Sequence, residues 1–110
     1  MQGYGDGGFR VAGVAYAGSV LVFTEETRAW DVSSTDAIAI GSLAAILEAA
    51  PPILVIGCGP RFVAPPKGLR QALKAEGIVL EWMDTGAACR TFNVLLAEDR
   101  GAAGALIAVD

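Results

Sequence analysis

The chain has 110 residues, with 8 basic and 12 acidic side chains, no histidine and a net charge of −4. That length is one domain, and surface scaling at this mass buries about 65% of the unfolded surface, enough for a core without disulfide or metal staples. Hydrophobic residues at 54% against 18% charged exclude a disordered chain, and the acidic balance argues against a dedicated nucleic-acid binder. The missing histidine removes the commonest general base and metal ligand at neutral pH. The two cysteines, Cys58 and Cys89, form no Cys-x-x-Cys pair, so the expectation is no metal site and no disulfide. The N-terminus resembles neither a signal peptide nor a transit peptide, and no apolar stretch reaches the roughly 20 residues of a membrane span. The expectation is a soluble, cytoplasmic protein with reduced thiols.

In chain order, a glycine-rich opening of eight residues reads as a loop. Strands are predicted at Phe9 to Val14 and Ser19 to Phe23, joined through Ala15 to Gly18 as a hairpin. Arg28 to Val32 alternates polar and apolar residues like an edge strand. Ser33 to Ile40 is ambiguous. Gly41-Ser42 offers Ser42 as the cap of a helix from Leu43 to Ala49, whose face is Leu43, Ile46, Leu47 and Ala50, and Pro51-Pro52 stops it. Ile53 to Ile56 is a short, wholly apolar run of the kind that a parallel sheet covers on both faces. Pro65-Pro66 suits a helix start, Leu69, Ala72 and Leu73 its buried stripe, and Gly77 its end. Ile78 to Trp82 is the next strand, completing a βαβ unit that should cross over right-handed. Asp84 caps a helix predicted over Thr85 to about Glu98, and Ala105 to Val109 makes the last strand. One α/β domain spanning 1–110 follows, antiparallel at its start and parallel in its second half.

Two strand-to-helix turns are the places where chemistry could sit, Gly57-Cys58-Gly59-Pro60-Arg61 and Met83-Asp84-Thr85-Gly86. If their strands are parallel, both emerge at the carboxyl edge of the sheet, where open α/β sheets bind ligands. The glycines equally serve tight turns, and Gly-Cys-Gly completes neither a Walker A loop nor a Gly-x-Gly-x-x-Gly fingerprint. Arg61 and nearby backbone N–H groups could activate the Cys58 thiol, or Cys58 is a small buried hydrophobe. Arg90 should lean back toward the Met83 to Gly86 turn, where a helix N-terminus and a guanidinium can hold an anion. Asp84 opposes that, because its carboxylate already occupies the positive helix end. A purely structural Arg90, bonded to a carboxylate or carbonyl, stands beside the anion reading. The candidate crevice therefore comprises Gly57, Cys58, Gly59, Arg61, Asp84, Thr85, Arg90 and Asn93, with no catalytic residue, metal ligand or cofactor assigned.

Several motifs also match a known pattern: Tyr4-Gly-Asp-Gly-Gly-Phe9, Trp30-Asp-Val, Ile56-Gly-Cys-Gly59, Pro66 with the following Leu69-Arg70, and above all Met83-Asp-Thr-Gly-Ala-Ala-Cys-Arg-Thr-Phe-Asn93, continuing through Leu95, Leu96, Glu98 and Arg100. Through them almost the whole chain resembles the small family that includes mitochondrial complex I assembly factor 3 and the adipogenesis-associated domain protein. The family pattern usually carries Gly-Thr-Gly at 57–59 and often Tyr at 92. The resemblance implies a three-layer α/β fold with a five-stranded mixed central sheet and an N-terminal β-hairpin. It implies a non-enzymatic assembly factor acting through protein contacts, with respiratory complex subunits as partners, and no reaction common to the family. The alternative from the residues themselves is a small-molecule (anion) binding domain or minor enzyme using the carboxyl-edge crevice.

Overall fold

The computed structural model describes all 110 residues as three layers around a mixed sheet. The central sheet is built from β4 (Val20–Val22), β5 (Thr27–Ala29), β6 (Ile53–Gly57), β7 (Val79–Met83) and β8 (Ala103–Leu106). Its order is β5-β4-β8-β6-β7. Strands β8, β6 and β7 run parallel, with Gly57 opposite both Leu106 and Met83, and β4 runs antiparallel to β8 and β5.

Alternation along these strands sorts the core into two. Leu54, Ile56, Leu80, Trp82, Ala103 and Ala105 face the larger cluster, under the helices α1 (Ala44–Ala49) and α2 (Leu69–Ala75) and two 3-10 turns, Thr35–Ala37 and Ile40–Leu43. Val20, Val22, Val55 and Leu106 face the smaller cluster, filled by Ala88, Cys89 and Phe92 of α3 (Thr85–Ala97) and by Phe9 and Val11. Those last two belong to a separate antiparallel sheet of β1 (Gly3–Gly5), β2 (Gly8–Val11) and β3 (Val14–Ala17). The two buried tryptophans keep their ring N–H groups bonded, Trp30 to the Ser42 carbonyl at 2.9 Å and Trp82 to the Val63 carbonyl at 2.7 Å. No buried side-chain polar atom lacks a partner, as a low-dielectric interior demands.

The expected architecture holds, with corrections at its start and end. The N-terminal hairpin is a three-stranded meander that turns at Asp6-Gly7 and Ala12-Gly13, so 9–14 is not one strand. Ala15 to Ala17 lies within β3, and Gly18 carries its positive φ of 82° between two different sheets. The edge strand expected over Arg28 to Val32 pairs with β4 only over Thr27–Ala29, and Trp30, whose N–H still bonds the Ser19 carbonyl, buries its indole. The ambiguous stretch becomes 3-10 turns. Ser42 does not cap α1; its hydroxyl instead bonds the N–H and carbonyl of Ala39. Of the predicted α1 face, Leu43 and Ile46 are buried, while Ala50 is exposed in the left-handed region ahead of Pro51. Helix α2 starts after Gly68 rather than at Pro65-Pro66. The last strand pairs at 103–106, because register with Leu54–Gly57 and Val20–Val22 decides its span.

A closed carboxyl edge as the candidate functional site

Strands β6, β7 and β8 end together, so the turns after β6 and β7 do meet at one edge. The Cys58 N–H donates to the Met83 carbonyl at 2.8 Å, and the Thr85 N–H donates to the Gly59 carbonyl at 2.8 Å. Thr85, the first residue of α3, is fully buried and locks the junction. Its hydroxyl accepts the Gly59 N–H at 3.1 Å and donates to the Ile107 carbonyl at 2.7 Å. Ile107 in turn donates its N–H to the Gly57 carbonyl at 3.0 Å. One hydroxyl thus joins the turn after β6, the head of α3 and the segment leaving β8.

Gly57 is required by this closeness. A Cβ there would stand 2.9 Å from both the Cα and the Oγ1 of Thr85 and 3.2 Å from the Ala88 Cβ. Asp84 caps α3 through its side chain, which accepts the Ala87 N–H at 2.9 Å. Its neighbour Gly86 leaves room for an unforeseen residue: a Cβ at 86 would lie 2.8 Å from the Tyr4 hydroxyl oxygen. Strand β1 therefore lies against the head of α3.

Cys58 is 2% exposed, in the larger core cluster, with its thiol directed to the Arg61 carbonyl at 3.6 Å and its own carbonyl accepting the Thr35 hydroxyl at 2.7 Å. Cys89 lies across the sheet in the smaller cluster, and both thiols are free. Burial pushes the Cys89 thiol up to about 11, against a smaller opposing pull from the N-terminal ammonium and Arg90.

The remaining candidates stand outward. Arg61, Arg90 and Asn93 are exposed. Arg90 and Asn93 lie on the flank of α3 away from Ala88 and Phe92, and neither makes a side-chain hydrogen bond or ion pair. The structure brings together Gly57, Cys58, Gly59, Asp84 and Thr85, and gives Arg90 no bond to either turn. Three or more metal-ligating side chains do not gather anywhere in the chain.

The roomier hollows lie elsewhere and carry no local sequence signal. A groove of about 560 Å³ at the amino edge of the parallel strands is lined by Phe23, Glu25, Glu26, Arg28, Glu48 and Pro52, among others. There the Arg28 guanidinium bonds Glu26 at 2.9 Å, holding that carboxyl below its usual range, and sits 5.5 Å from the Phe23 ring centre. A second hollow, of about 520 Å³, lies on the β1–β3 meander around Tyr4, Phe9 and Tyr16.

These features define a small three-layer α/β domain whose carboxyl edge is sealed by its own backbone and one threonine. The family described as protein of unknown function (DUF498/DUF598) matches residues 1–107, and the chain belongs to it. An uncharacterized protein of Rhodobacter capsulatus is 36% identical over 107 residues, covering 97% of this chain and 82% of that protein. The zebrafish (Danio rerio) NADH dehydrogenase [ubiquinone] 1 alpha subcomplex assembly factor 3 is 37% identical over 97% of this chain, which spans 63% of the length of that relative. Among solved structures, one described as an outer membrane protein from Bartonella henselae superposes with a TM-score of 0.92 at 37% identity, covering 100% of this chain and 94% of that one.

Proposed function

We propose that this chain is a non-enzymatic, cytoplasmic protein-binding factor that assists assembly of a respiratory complex of the complex I type. The observation that carries the reading is the 37% identity, across 97% of the chain, to a protein named as a complex I assembly factor. The geometry supports it. At the edge where an open α/β sheet would receive a small ligand, the Thr85 hydroxyl and the Ile107 backbone already use the polar groups that a ligand would engage. An anion-binding role for the same edge would require those bonds to open, or would have to rest on the outward cations Arg61 and Arg90.

The test is a pull-down from the native cell with the tagged full chain, scoring complex I subunits by mass spectrometry against an unrelated bait. Specific enrichment of those subunits is the expected result. Their absence, in cells shown to assemble the complex, overturns the reading.

A further inference from the structure

From residue 49 to residue 75 the chain carries no carboxylate and four cations, Arg61, Lys67, Arg70 and Lys74. These are half of all its basic side chains, in a protein whose net charge is −4. All four are exposed, and both ion pairs of the molecule lie elsewhere, at Arg28–Glu26 and Arg100–Glu98. The stretch forms a strap that leaves the carboxyl end of β6 and continues down α2. Arg70 and Lys74 stand four residues apart within α2, the spacing that lines up side chains along one side of a helix, and Lys67 precedes that helix on the turn at Gly68. Between Arg61 and Lys67 the strap displays Phe62, 63% exposed and the most exposed large hydrophobic side chain of the molecule, next to Val63 at 46%.

Single exposed hydrophobic residues are ordinary. This one differs in its support. The carbonyls on either side of Phe62 are both engaged, that of Arg61 by the Cys58 thiol at 3.6 Å and that of Val63 by the Trp82 indole N–H at 2.7 Å. The Arg70 guanidinium donates to the Leu80 carbonyl at 2.6 Å, and Pro60, Pro65 and Pro66 stiffen the path between. The aromatic ring is thus presented from a backbone ordered in advance, so that binding through it loses little further freedom. An aromatic anchor with arginine beside it is the composition of interface hot spots.

We infer that the Arg61–Lys74 strap is a docking surface for an acidic protein segment, with Phe62 seated in an apolar pocket of that partner and the strap's cations matched by its carboxylates. The inference rests on the protein-binding reading and adds to it the surface and the partner's chemistry. Charge complementarity selects the occupant, since four unpaired cations repel a basic partner and steer an acidic one. Three exposed carboxylates border the strap: Asp36, next to the Thr35 that bonds Cys58, Glu76, at the end of α2 just past Lys74, and Glu81, next to the Leu80 that bonds Arg70. A uniformly anionic lipid surface would meet those carboxylates unfavourably, whereas a protein partner can place a cation opposite each.

The experiment selects random dodecapeptides displayed on phage against the full chain and measures the affinity of the enriched peptides by fluorescence anisotropy. Enriched peptides should carry net negative charge with an aromatic or aliphatic residue. Their affinity should fall at least tenfold in Phe62→Ser and in the double variant Arg61→Glu/Lys67→Glu, and should fall as salt is raised. These side chains are exposed, so both variants should keep the wild-type near-ultraviolet circular dichroism; Lys67→Glu alone substitutes for any variant that does not. Neutral or basic peptides, an empty selection, or affinity indifferent to the substitutions overturns the inference. So does binding to vesicles of equimolar phosphatidylglycerol and phosphatidylcholine that exceeds peptide binding and vanishes in Phe62→Ser, or salt-sensitive self-association abolished by the same change. The two readings fail separately. If wild type and Phe62→Ser enrich the same complex I subunits equally, the docking surface is wrong and the assembly reading stands. If wild type enriches none, the assembly reading falls, and the peptide arm alone decides the surface.

Discussion

Replacing Thr85 by Val should be among the most damaging single changes that keep the shape of the core. The two side chains are nearly isosteric, so no cavity opens, and only the hydroxyl is lost. That hydroxyl accepts from the Gly59 N–H and donates to the Ile107 carbonyl, both in buried residues. No other bond is made by the Gly59 N–H, so the substitution leaves a buried donor and a buried acceptor without partners. Each costs about 1–3 kcal/mol, for a total on the order of 2–6 kcal/mol. With a urea slope of roughly 1.5 kcal/mol per molar for a domain of this size, the unfolding midpoint should drop by about 1–4 M. Thr85→Ser is the control, because it keeps the hydroxyl and loses only a buried methyl, at about 1 kcal/mol. The reasoning thus requires Val to be worse than Ser. If packing dominated instead, the order would reverse. Equilibrium urea denaturation of the two variants beside the wild type measures it, and a Thr85→Val midpoint equal to wild type, or above that of Thr85→Ser, refutes the account of the sealed edge.

Gly77, with φ of 79° just past the end of α2 and no atom near a would-be Cβ, isolates a conformational cost: Gly77→Ala should lower stability by about 1–2 kcal/mol in the same denaturation assay. The Cys89 thiol, raised by burial to about 11, stays protonated in the native state at pH values where it ionises in the unfolded chain. The stability it contributes is therefore complete below the ordinary thiol range and is lost as pH rises from about 9 to about 11. Cys89→Ala should accordingly lose less stability than wild type across that window, and equal losses would contradict the assignment. Iodoacetamide at pH 8 should leave both Cys58 and Cys89 unlabelled until the protein is denatured, as both are buried; fast labelling of the native protein would show an accessible thiol. Arg90 is exposed and unpaired, so Arg90→Ala should shift stability by less than about 0.5 kcal/mol. Partner capture by this variant then reports recognition alone, and normal capture excludes Arg90 from it.

The second half of the chain was legible in its sequence because its elements are determined locally. The run Ile53 to Ile56 reads as a strand buried on both faces, Asp84 caps the helix that follows it, and Gly77 sits where only a left-handed residue ends α2. The candidate turns at 57–61 and 83–86 also meet, as parallel strands require. The start was not legible, since a glycine-rich segment permits several turn positions, and only pairing of Gly3–Gly5 with Gly8–Arg10, and of Gly8–Val11 with Val14–Ala17, chooses among them. The closure of the edge was equally invisible. Thr85 reads as an ordinary first residue of a helix, yet its hydroxyl reaches Gly59 and Ile107, each more than 20 residues away along the chain. Local periodicity fixes which residues turn inward, but not which distant polar group waits there. Only tertiary packing decides whether two turns at a sheet edge leave a crevice or, as here, a threonine and the segment after the last strand fill it.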